Sequence, residues 1–435
     1  MVEDAWHIAG GRPLEGRIRP SGSKNGALPT LAAALLLDGE TVLHNVPRIT
    51  DVATMLALLR KLGLEVCEQS DGSVKIVNHG IATHRPPADL VGRMRASHYL
   101  LGPLALRLGK AEMPLPGGCR IGARPVTHFL AVLEALGVRA TTEDRQIALQ
   151  AAGLQGSAVV LDPRHRNPGA TFTALMAGSL AEGTTVIENA SFEPDVVCFC
   201  EFLNAAGARV DGLGGPKLTV KGVSRLRGTI HRINPDRLEA GTLLCAAAAT
   251  RGEVTVEEIT REELSETADK LEEAGVELSA HDGITAACPR RPRGVEIVTD
   301  PFPSFSTDLQ PPMAAVLAVA EGTSTIRESV FDDRLQYVDQ MASMGADIRL
   351  AGPREALITG VPRLRSAQVQ AHNIRDGAAL VIAALSADGE SVVSGRRFVA
   401  RGYENFESKL RSLGADITAA GNHSTQRASA GPPEG

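Results

Sequence analysis

Aromatic side chains, positive charge and long apolar runs are all scarce in this chain. Phe, Trp and Tyr make up 3% of its 435 residues, which argues against platforms that stack nucleic-acid bases. The 45 basic and 51 acidic residues give a net charge of −6, so a surface that wraps nucleic acid is not expected, although a local cationic pocket remains possible. No apolar run approaches the roughly 20 residues that cross a bilayer, and MVEDAWHIAG does not read as a signal peptide. The sequence therefore predicts a cytoplasmic protein with no nucleic-acid or membrane partner.

Cysteine pairs suited to zinc are also missing. The six cysteines include no CxxC pair, and Cys198 and Cys200 are too close together for an ordinary disulfide. Disulfide-stapled proteins are usually much shorter than this chain. We therefore expect reduced thiols and no metal site.

The sequence is instead rich in the hydrophobic residues that form packed cores and in the glycine and proline that form tight turns. Hydrophobic residues make up 43% of it, with 44 glycines and 25 prolines. This composition excludes a disordered chain. At roughly 150 residues per domain, the length predicts about two or three domains.

A short pattern recurs six times along the chain. Apolar residues at helical spacing are followed by a glycine and then by an alternating strand, as in LLRKLGLEV, VLEALGVRA and KLRSLGADI. The glycine suits a left-handed helix end. Six copies separated by 68 to 74 residues predict units of about 70 residues, three in each of two domains. The six glycines are Gly63, Gly137, Gly207, Gly275, Gly345 and Gly414.

The segment SGSKNGALP brings Lys24 and Asn25 to the start of an apolar helix. A lysine is electrostatically unfavourable at a helix N-terminus. It becomes favourable when an anion is held there by the free amides and the ammonium together. An ordinary solvated lysine on a turn remains the alternative.

The segment PLPGGCRIGARPV places Cys119 between two glycines and two arginines, Arg120 and Arg124. Nearby cations favour the thiolate, and glycines permit loop motion. Cys245, within the apolar run LLCAAAA, shows the contrasting pattern of a core cysteine. Cys119 is thus the one cysteine with a reactive setting.

Three further segments carry charged candidates. Asp308 precedes an apolar helix in FPSFSTDLQPPM, where it suits either an N-cap or a general base. Arg375 in NIRDG and Arg401 in ARGYENF suit a clamp for phosphate or carboxylate. Arg95 in RMRAS suits the same anion-binding role. For each arginine, simple exposure to solvent is the alternative.

Together these motifs identify a family. SGSKNGALP, MRAS, LPGGCRIGARPV, EGTTVIENA, EPDVV, STDLQ and RGYE occur in the order found in the enolpyruvyl transferases, and the resemblance runs from about residue 8 to 418. The sister enzyme of the shikimate pathway has the same fold without the cysteine loop. The resemblance therefore points to the branch that acts on a uridine nucleotide.

The resemblance implies an α/β fold of two inside-out domains, each made of three βαβαββ repeats. One domain would span residues 24–232 and carry the cysteine loop. The other would combine 1–23 with 233–420, and 421–435 would be a disordered tail.

The resemblance also implies the reaction and its residues. The enolpyruvyl group of phosphoenolpyruvate would be transferred to a hydroxyl of a uridine nucleotide, namely the 3-hydroxyl of UDP-N-acetylglucosamine in peptidoglycan precursor synthesis. No metal, cofactor or obligate protein partner would be needed. Cys119 would act as acid or transient nucleophile, and Asp308 would take the acceptor's proton. The remaining roles are phosphoenolpyruvate binding by Lys24, Arg124 and Arg401, acceptor contacts by Asn25 and Arg334, and completion of the cationic pocket by Arg95 and Arg375.

Departures from the family pattern fall on the acceptor side. Thr127, His128 and Phe129 replace the family's DLH, and His165 and Asn167 replace a lysine and a serine. Three hypotheses follow, favoured in this order. The chain uses UDP-N-acetylglucosamine; or it performs the same chemistry on another acceptor, such as UMP in nucleoside-antibiotic synthesis; or it is an inactive nucleotide-binding regulator.

Overall fold

The computed structural model describes residues 4–118, 122 and 125–420. Cys119, Arg124 and the tail 421–435 of the sequence predictions lie outside these residues. The chain forms two compact units: the first unit holds Ser21–Asp236 with Pro301–Pro303, and the second unit holds the remaining described residues.

Strands and helices alternate along the described chain. The strands are β1 (Ala5–Ala9), β2 (Glu15–Ile18), β3 (Leu37–His44), β4 (Glu65–Glu68), β5 (Val74–Asn78), β6 (Lys110–Pro114), β7 (Val138–Glu143), β8 (Gln146–Ala151), β9 (Ala158–Val160), β10 (Thr184–Glu188), β11 (Arg209–Asp211), β12 (Lys217–Lys221), β13 (Leu226–Arg227), β14 (Ile230–Arg232), β15 (Glu253–Val256), β16 (Glu277–Ala280), β17 (Ile284–Ala287), β18 (Glu296–Val298), β19 (Thr323–Arg327), β20 (Asp347–Gly352), β21 (Glu355–Thr359), β22 (Leu364–Arg365), β23 (Gln368–Gln370), β24 (Ala387–Asp388), β25 (Glu390–Ser394) and β26 (Asp416–Ala419). The helices are α1 (Lys24–Ala33), α2 (Thr50–Lys61), α3 (Ala88–Val91), α4 (Leu101–Leu108), α5 (Thr127–Ala135), α6 (Pro168–Leu180), α7 (Pro194–Ala205), α8 (Arg237–Thr250), α9 (Arg261–Leu264), α10 (Glu266–Glu273), α11 (Gln310–Ala318), α12 (Val338–Ser343), α13 (Ile374–Ser386), α14 (Arg396–Val399) and α15 (Phe406–Ser412). Two 3₁₀ helices lie at Ala34–Leu36 and Arg95–Leu100.

The sheets repeat one arrangement. In the third repeat, β10 pairs with β9 in parallel and with β12 in the antiparallel sense, and β11 completes the hairpin, giving the order β11-β12-β10-β9. The orders β16-β17-β15-β2 and β20-β21-β19-β18 reproduce it in the second unit. The repeat predicted from the sequence is therefore visible in the strand pairing.

The six repeat glycines all have positive φ, between +83° and +105°. A side chain is strained in this conformation, so glycine lets each helix stop and the next strand begin. This confirms the prediction of a left-handed helix end in each copy.

The sixth repeat is completed by the start of the chain. Strand β1 lies between β25 and β26 and pairs with both in the antiparallel sense, with Trp6 opposite Val393 and Ala419. It takes the place that the second hairpin strand has in the other repeats. Strand β2 pairs in parallel with β15 of the fourth repeat. These pairings place residues 5–18 in the second unit.

The helices at the start of the repeats form the inside of each unit. In the second unit, α8, α11 and α13 pack against one another, and all fourteen residues of α8 are buried. A helix that is buried on every side lies in a core, and α8 is mostly apolar, although it also carries Arg237 and Glu239. Small residues permit the close approach: a Cβ at Gly241 would lie 2.6 Å from Leu309 Cδ1. No helix among the described residues is long and apolar enough to cross a membrane.

Candidate active site

Asp308 is held between two buried arginines in the second unit. Its Oδ1 accepts a hydrogen bond from Arg334 Nη2 at 2.6 Å, and its Oδ2 accepts one from Arg375 Nε at 3.0 Å. The arginine side chains are 3% and 2% exposed, whereas the aspartate side chain is 25% exposed. Helix α11 has Leu309 at its N-cap, with no side-chain capping bond. The N-cap interpretation of Asp308 is therefore wrong, and its carboxylate is fixed in place while remaining partly accessible.

Asn373 positions Arg375 at the start of α13. Its side-chain oxygen accepts hydrogen bonds from the backbone N–H groups of Arg375 and Asp376, both at 3.1 Å. This is an N-cap, which satisfies amides that the helix itself leaves unpaired. The cap fixes the first turn of α13 and hence the direction of the Arg375 side chain.

Tyr403 connects Arg375 with the segment that carries Arg401. The guanidinium carbon of Arg375 lies 5.1 Å from the centre of the Tyr403 ring, a cation–π distance. The Tyr403 hydroxyl is 2.8 Å from Thr242 Oγ1 on α8. Tyr403 is 2% exposed. The sequence analysis quoted RGYE without giving this tyrosine a role, although it stands only two residues after Arg401.

Glu328 forms hydrogen bonds with two segments near Asp308, one at Thr307 and one at residues 330–331. This residue is 3% exposed, and its carboxylate accepts hydrogen bonds from Thr307 Oγ1 at 2.9 Å and from the backbone of Val330 and Phe331 at 2.8 and 3.0 Å. Thr307 in turn offers its carbonyl to Arg334 at 3.4 Å. Sequence reasoning missed Glu328, because a glutamate after a strand looks like a solvated one.

Lys24 begins α1 in the first unit, as the sequence predicted. Ser23 caps the helix, accepting from the Gly26 N–H at 3.2 Å, and the Lys24 N–H donates to Asp236 Oδ2 at 3.3 Å. A Cβ at Gly26 would lie 2.8 Å from Asn234 Oδ1, so the turn needs glycine there. Lys24 and Asn25 are partly exposed on this buried turn. The first unit thus presents both side chains from a rigid support.

Arg95 lies where the cysteine loop begins. A Cβ at Gly118 would lie 2.9 Å from the Arg95 backbone nitrogen, and one at Gly117 would lie 1.8 Å from the Gly92 carbonyl oxygen. The two glycines are therefore required by close backbone approach, and they bring residue 118 against Arg95. The chain continues from there to Cys119.

Two of the departures on the acceptor side have structural explanations. Phe129 is 8% exposed and stacks on His98, with ring centres 3.9 Å apart. Asn167 caps α6, accepting from the Ala170 N–H at 3.1 Å. His165 is half-exposed, with its Nδ1 3.0 Å from Asp162 Oδ2. Packing therefore accounts for Phe129, and capping of α6 accounts for Asn167.

The described residues contain no group of three or more His, Cys, Asp and Glu side chains placed to hold a metal ion. Five cysteines, at positions 67, 198, 200, 245 and 288, are unpaired thiols. Burial raises the pKa of Cys198, Cys200 and Cys245 to about 12 and that of Cys288 to about 11. These four thiols remain protonated at neutral pH, and Cys67 is exposed.

Comparison with known proteins decides the family. The sequence model of EPSP synthase (3-phosphoshikimate 1-carboxyvinyltransferase) matches residues 8–410. The chain belongs to this family of enolpyruvyl transferases. Its relatives include proteins of Prochlorococcus marinus (44% identical, covering 96% of both chains) and Halorhodospira halophila (44% identical, covering 94% of this chain and 98% of the other). Both are named UDP-N-acetylglucosamine 1-carboxyvinyltransferase.

Solved structures agree with the enolpyruvyl transferase fold. The enolpyruvyl transferase NikO from Streptomyces tendae has a TM-score of 0.84 at 27% identity, covering 95% of this chain and 98% of its own. EPSP synthase from Acinetobacter baumannii has a TM-score of 0.71 at 19% identity, over 95% and 100% of the two chains, which supports the fold alone. The predicted fold is confirmed, and the chain is a carboxyvinyl transferase.

Proposed function

We propose that this enolpyruvyl transferase joins the enolpyruvyl group of phosphoenolpyruvate to the 3-hydroxyl of UDP-N-acetylglucosamine and releases phosphate. The names of relatives that are 44% identical over nearly the whole chain support this acceptor. The placement of Asp308 between Arg334 and Arg375 is the observation that supports the chemistry. The product would be a peptidoglycan precursor.

The proposed reaction needs an acid and a base. Cys119 gives a proton to C3 of phosphoenolpyruvate, and the cationic C2 that results is attacked by the acceptor hydroxyl. Asp308 takes the proton of that hydroxyl as the new C–O bond forms. The carboxylate suits this step, because the two arginines fix its position while its side chain remains partly exposed.

The second half of the reaction expels phosphate. The C2–O bond to phosphate breaks, C3 returns its proton to the Cys119 thiolate, and the phosphate takes up the proton that Asp308 had gained, which leaves the enol ether on the acceptor. Cations around the leaving group stabilise the developing charge. We assign this role to Lys24, Arg124 and Arg401, with Arg95 and Arg375 completing the cationic pocket and Asn25 and Arg334 contacting the acceptor.

A smaller uridine nucleotide such as UMP is the second candidate acceptor. His165 and Asn167 stand where the family has a lysine and a serine, and both side chains already have partners. His165 lies against Asp162, and Asn167 accepts a hydrogen bond from the Ala170 N–H of α6, which favours this acceptor. A pocket with fewer cations suits an acceptor with fewer phosphates.

Phosphate release from phosphoenolpyruvate distinguishes the acceptors when UDP-N-acetylglucosamine, UDP and UMP are offered separately. We expect the highest kcat/KM with UDP-N-acetylglucosamine. The double variant His165→Lys/Asn167→Ser should then change the preference between UDP-N-acetylglucosamine and UMP by less than about threefold. A wild-type preference for UMP, reversed by about 5- to 150-fold in the double variant, would overturn the proposed acceptor, since one unpaired charged group costs about 1–3 kcal/mol.

Arg401→Ala should mainly weaken the use of phosphoenolpyruvate. Removing one partner of a desolvated charge pair costs about 2–5 kcal/mol, so we expect kcat/KM for phosphoenolpyruvate to fall at least about 30-fold. Arg397→Ala is the matched control, because Arg397 lies nearby on α14, is exposed and pairs with Asp4. Equal losses in the two variants would contradict the role of Arg401.

The cytoplasm is the proposed compartment. The five cysteines among the described residues are all unpaired, and unpaired thiols suit a reducing environment. Both proposed substrates are small molecules.

A further inference from the structure

The ring of Tyr403 lies against one of the two arginines that hold Asp308. The guanidinium carbon of Arg375 is 5.1 Å from the centre of this ring, and Arg375 Nε donates a hydrogen bond to Asp308 Oδ2 at 3.0 Å. Arg375 and Tyr403 are both 2% exposed. A cation–π contact is strongest when water is excluded from it. The ring therefore acts on a guanidinium that is bonded directly to the Asp308 carboxylate.

The hydroxyl of Tyr403 fixes the ring against helix α8. It lies 2.8 Å from Thr242 Oγ1, and Thr242 Oγ1 donates to the Leu238 carbonyl at 2.7 Å. A threonine hydroxyl has one proton, so Tyr403 is the donor in the bond between the two hydroxyls. The ring of Phe406 packs against that of Tyr403, with centres 4.8 Å apart. The ring is thus held at its hydroxyl end and along its side.

Two glycines bring the segment that carries Tyr403 against the start of α13. A Cβ at Gly402 would lie 2.6 Å from Ile374 Cγ2, and one at Gly377 would lie 2.4 Å from Val399 Cγ2. The Tyr403 N–H donates to the Val399 carbonyl at 3.0 Å. Backbone that packs this closely leaves no room for a larger residue at either glycine. The ring and the guanidinium are therefore both carried by segments whose separation is fixed.

We propose that Tyr403 is a positioning residue, which holds Arg375 through the face of its ring and so keeps Asp308 oriented towards the acceptor hydroxyl. The inference rests on the proposed role of Asp308 as the base. Without the ring, Arg375 keeps its charge but loses a surface that fixes its direction. The base is then correctly placed for a smaller fraction of the time, which lowers kcat more than it changes KM.

Fluorinated phenylalanines at position 403 of the full-length enzyme test the contact without changing its shape. Tyr403→Phe keeps the ring, so its kcat should stay within about threefold of the wild type. Added fluorine atoms withdraw electrons from the ring face, and kcat should fall stepwise to a total loss of about 10- to 30-fold. The KM for UDP-N-acetylglucosamine should change by less than about threefold. A kcat that does not depend on fluorination would overturn the positioning role.

Tyr403→Leu and Phe398→Leu form a matched pair. Phe398 makes the same kind of contact with Arg397, whose guanidinium carbon is 4.7 Å from the ring centre and whose side chain is 66% exposed. Tyr403→Leu should lose about 10- to 30-fold in kcat, whereas Phe398→Leu should stay within about threefold of the wild type. Equal losses in the two variants, both folded by thermal unfolding, would contradict the proposal. If Tyr403→Leu does not fold, the fluorinated series decides the question.

Crystal structures of the wild type and of Tyr403→Leu test the inference without any assay of activity. The distance from Arg375 Nε to Asp308 Oδ2 should increase from 3.0 Å to beyond about 3.5 Å in the variant, where it is no longer a hydrogen bond. An unchanged distance would overturn the positioning role and leave the proposed function intact. A wild type that does not use UDP-N-acetylglucosamine would count against the proposed function, and the same distance would still decide the role of Tyr403.

Discussion

Replacing Cys119 by serine is expected to lower kcat by about 10²- to 10⁴-fold at neutral pH, the usual contribution of a positioned acid. A serine hydroxyl is a much poorer proton donor and nucleophile than a thiol. Cys119→Asp should retain more activity, because a carboxyl group can still donate a proton. Cys67→Ser, which alters an exposed cysteine, is the control and should be fully active. A Cys119→Ser enzyme within about tenfold of the wild type would refute the proposed acid.

A small phosphonate epoxide that mimics phosphoenolpyruvate gives a second measurement of the same role. Cys198, Cys200, Cys245 and Cys288 are buried thiols whose raised pKa keeps them unreactive at neutral pH. Mass spectrometry should therefore find the adduct on Cys119 and leave the exposed Cys67 largely unmodified. Preferential labelling of Cys67 would show that exposure alone, and not a reactive setting at Cys119, controls alkylation.

Asp308→Asn should reduce kcat by about 10²- to 10⁴-fold, because the amide cannot accept the acceptor's proton. It also removes the negative charge shared by Arg334 and Arg375, both almost fully buried. Some loss of stability should accompany the loss of activity, since buried guanidiniums would be left undercompensated.

Asp300→Asn is the matched control for this variant. Asp300 is exposed and lies eight residues earlier in the chain, so its neutralisation should affect neither kcat nor Tm. The comparison requires kcat to be measured where both variants are folded, as judged by thermal unfolding. A folded Asp308→Asn enzyme with more than about a tenth of wild-type kcat would show that another group accepts the proton.

The repeats could be predicted from sequence because their signals are local. A helical pattern, a glycine with positive φ and an alternating strand follow one another within a few residues. The pairing of β1 with β25 and β26 gave no such signal, because it joins Trp6 to Val393 and Ala419 across almost the whole chain. Strand periodicity shows that a segment is a strand, but it does not identify a distant partner.

Motifs in the sequence singled out Asp308 and Arg375, which the structure joins by a hydrogen bond, but they did not indicate the buried acids near them. Glu328 and Asp376 are charged residues at 3% and 1% exposure, and nothing in their sequence neighbourhood distinguishes them from solvated acids. The sequence around Asp308 is equally compatible with an N-cap, and only the hydrogen bonds from Arg334 and Arg375 distinguish the two interpretations. Whether a charged residue is buried depends on contacts between segments far apart in sequence, so it cannot be predicted from the residues next to it.

The insertion of β1 between the last two strands of the chain imposes an order on biosynthesis. Strand β1 leaves the ribosome nearly 400 residues before β25 and β26. At about 5–20 residues per second, β1 waits roughly 20–80 s for its neighbours. The first unit, whose main segment is continuous in sequence from Ser21 to Asp236, can fold during that interval. The second unit can close this sheet only after residue 419 has been made, so a nascent chain stalled before residue 390 would hold the first unit and a strand β1 without its two neighbours.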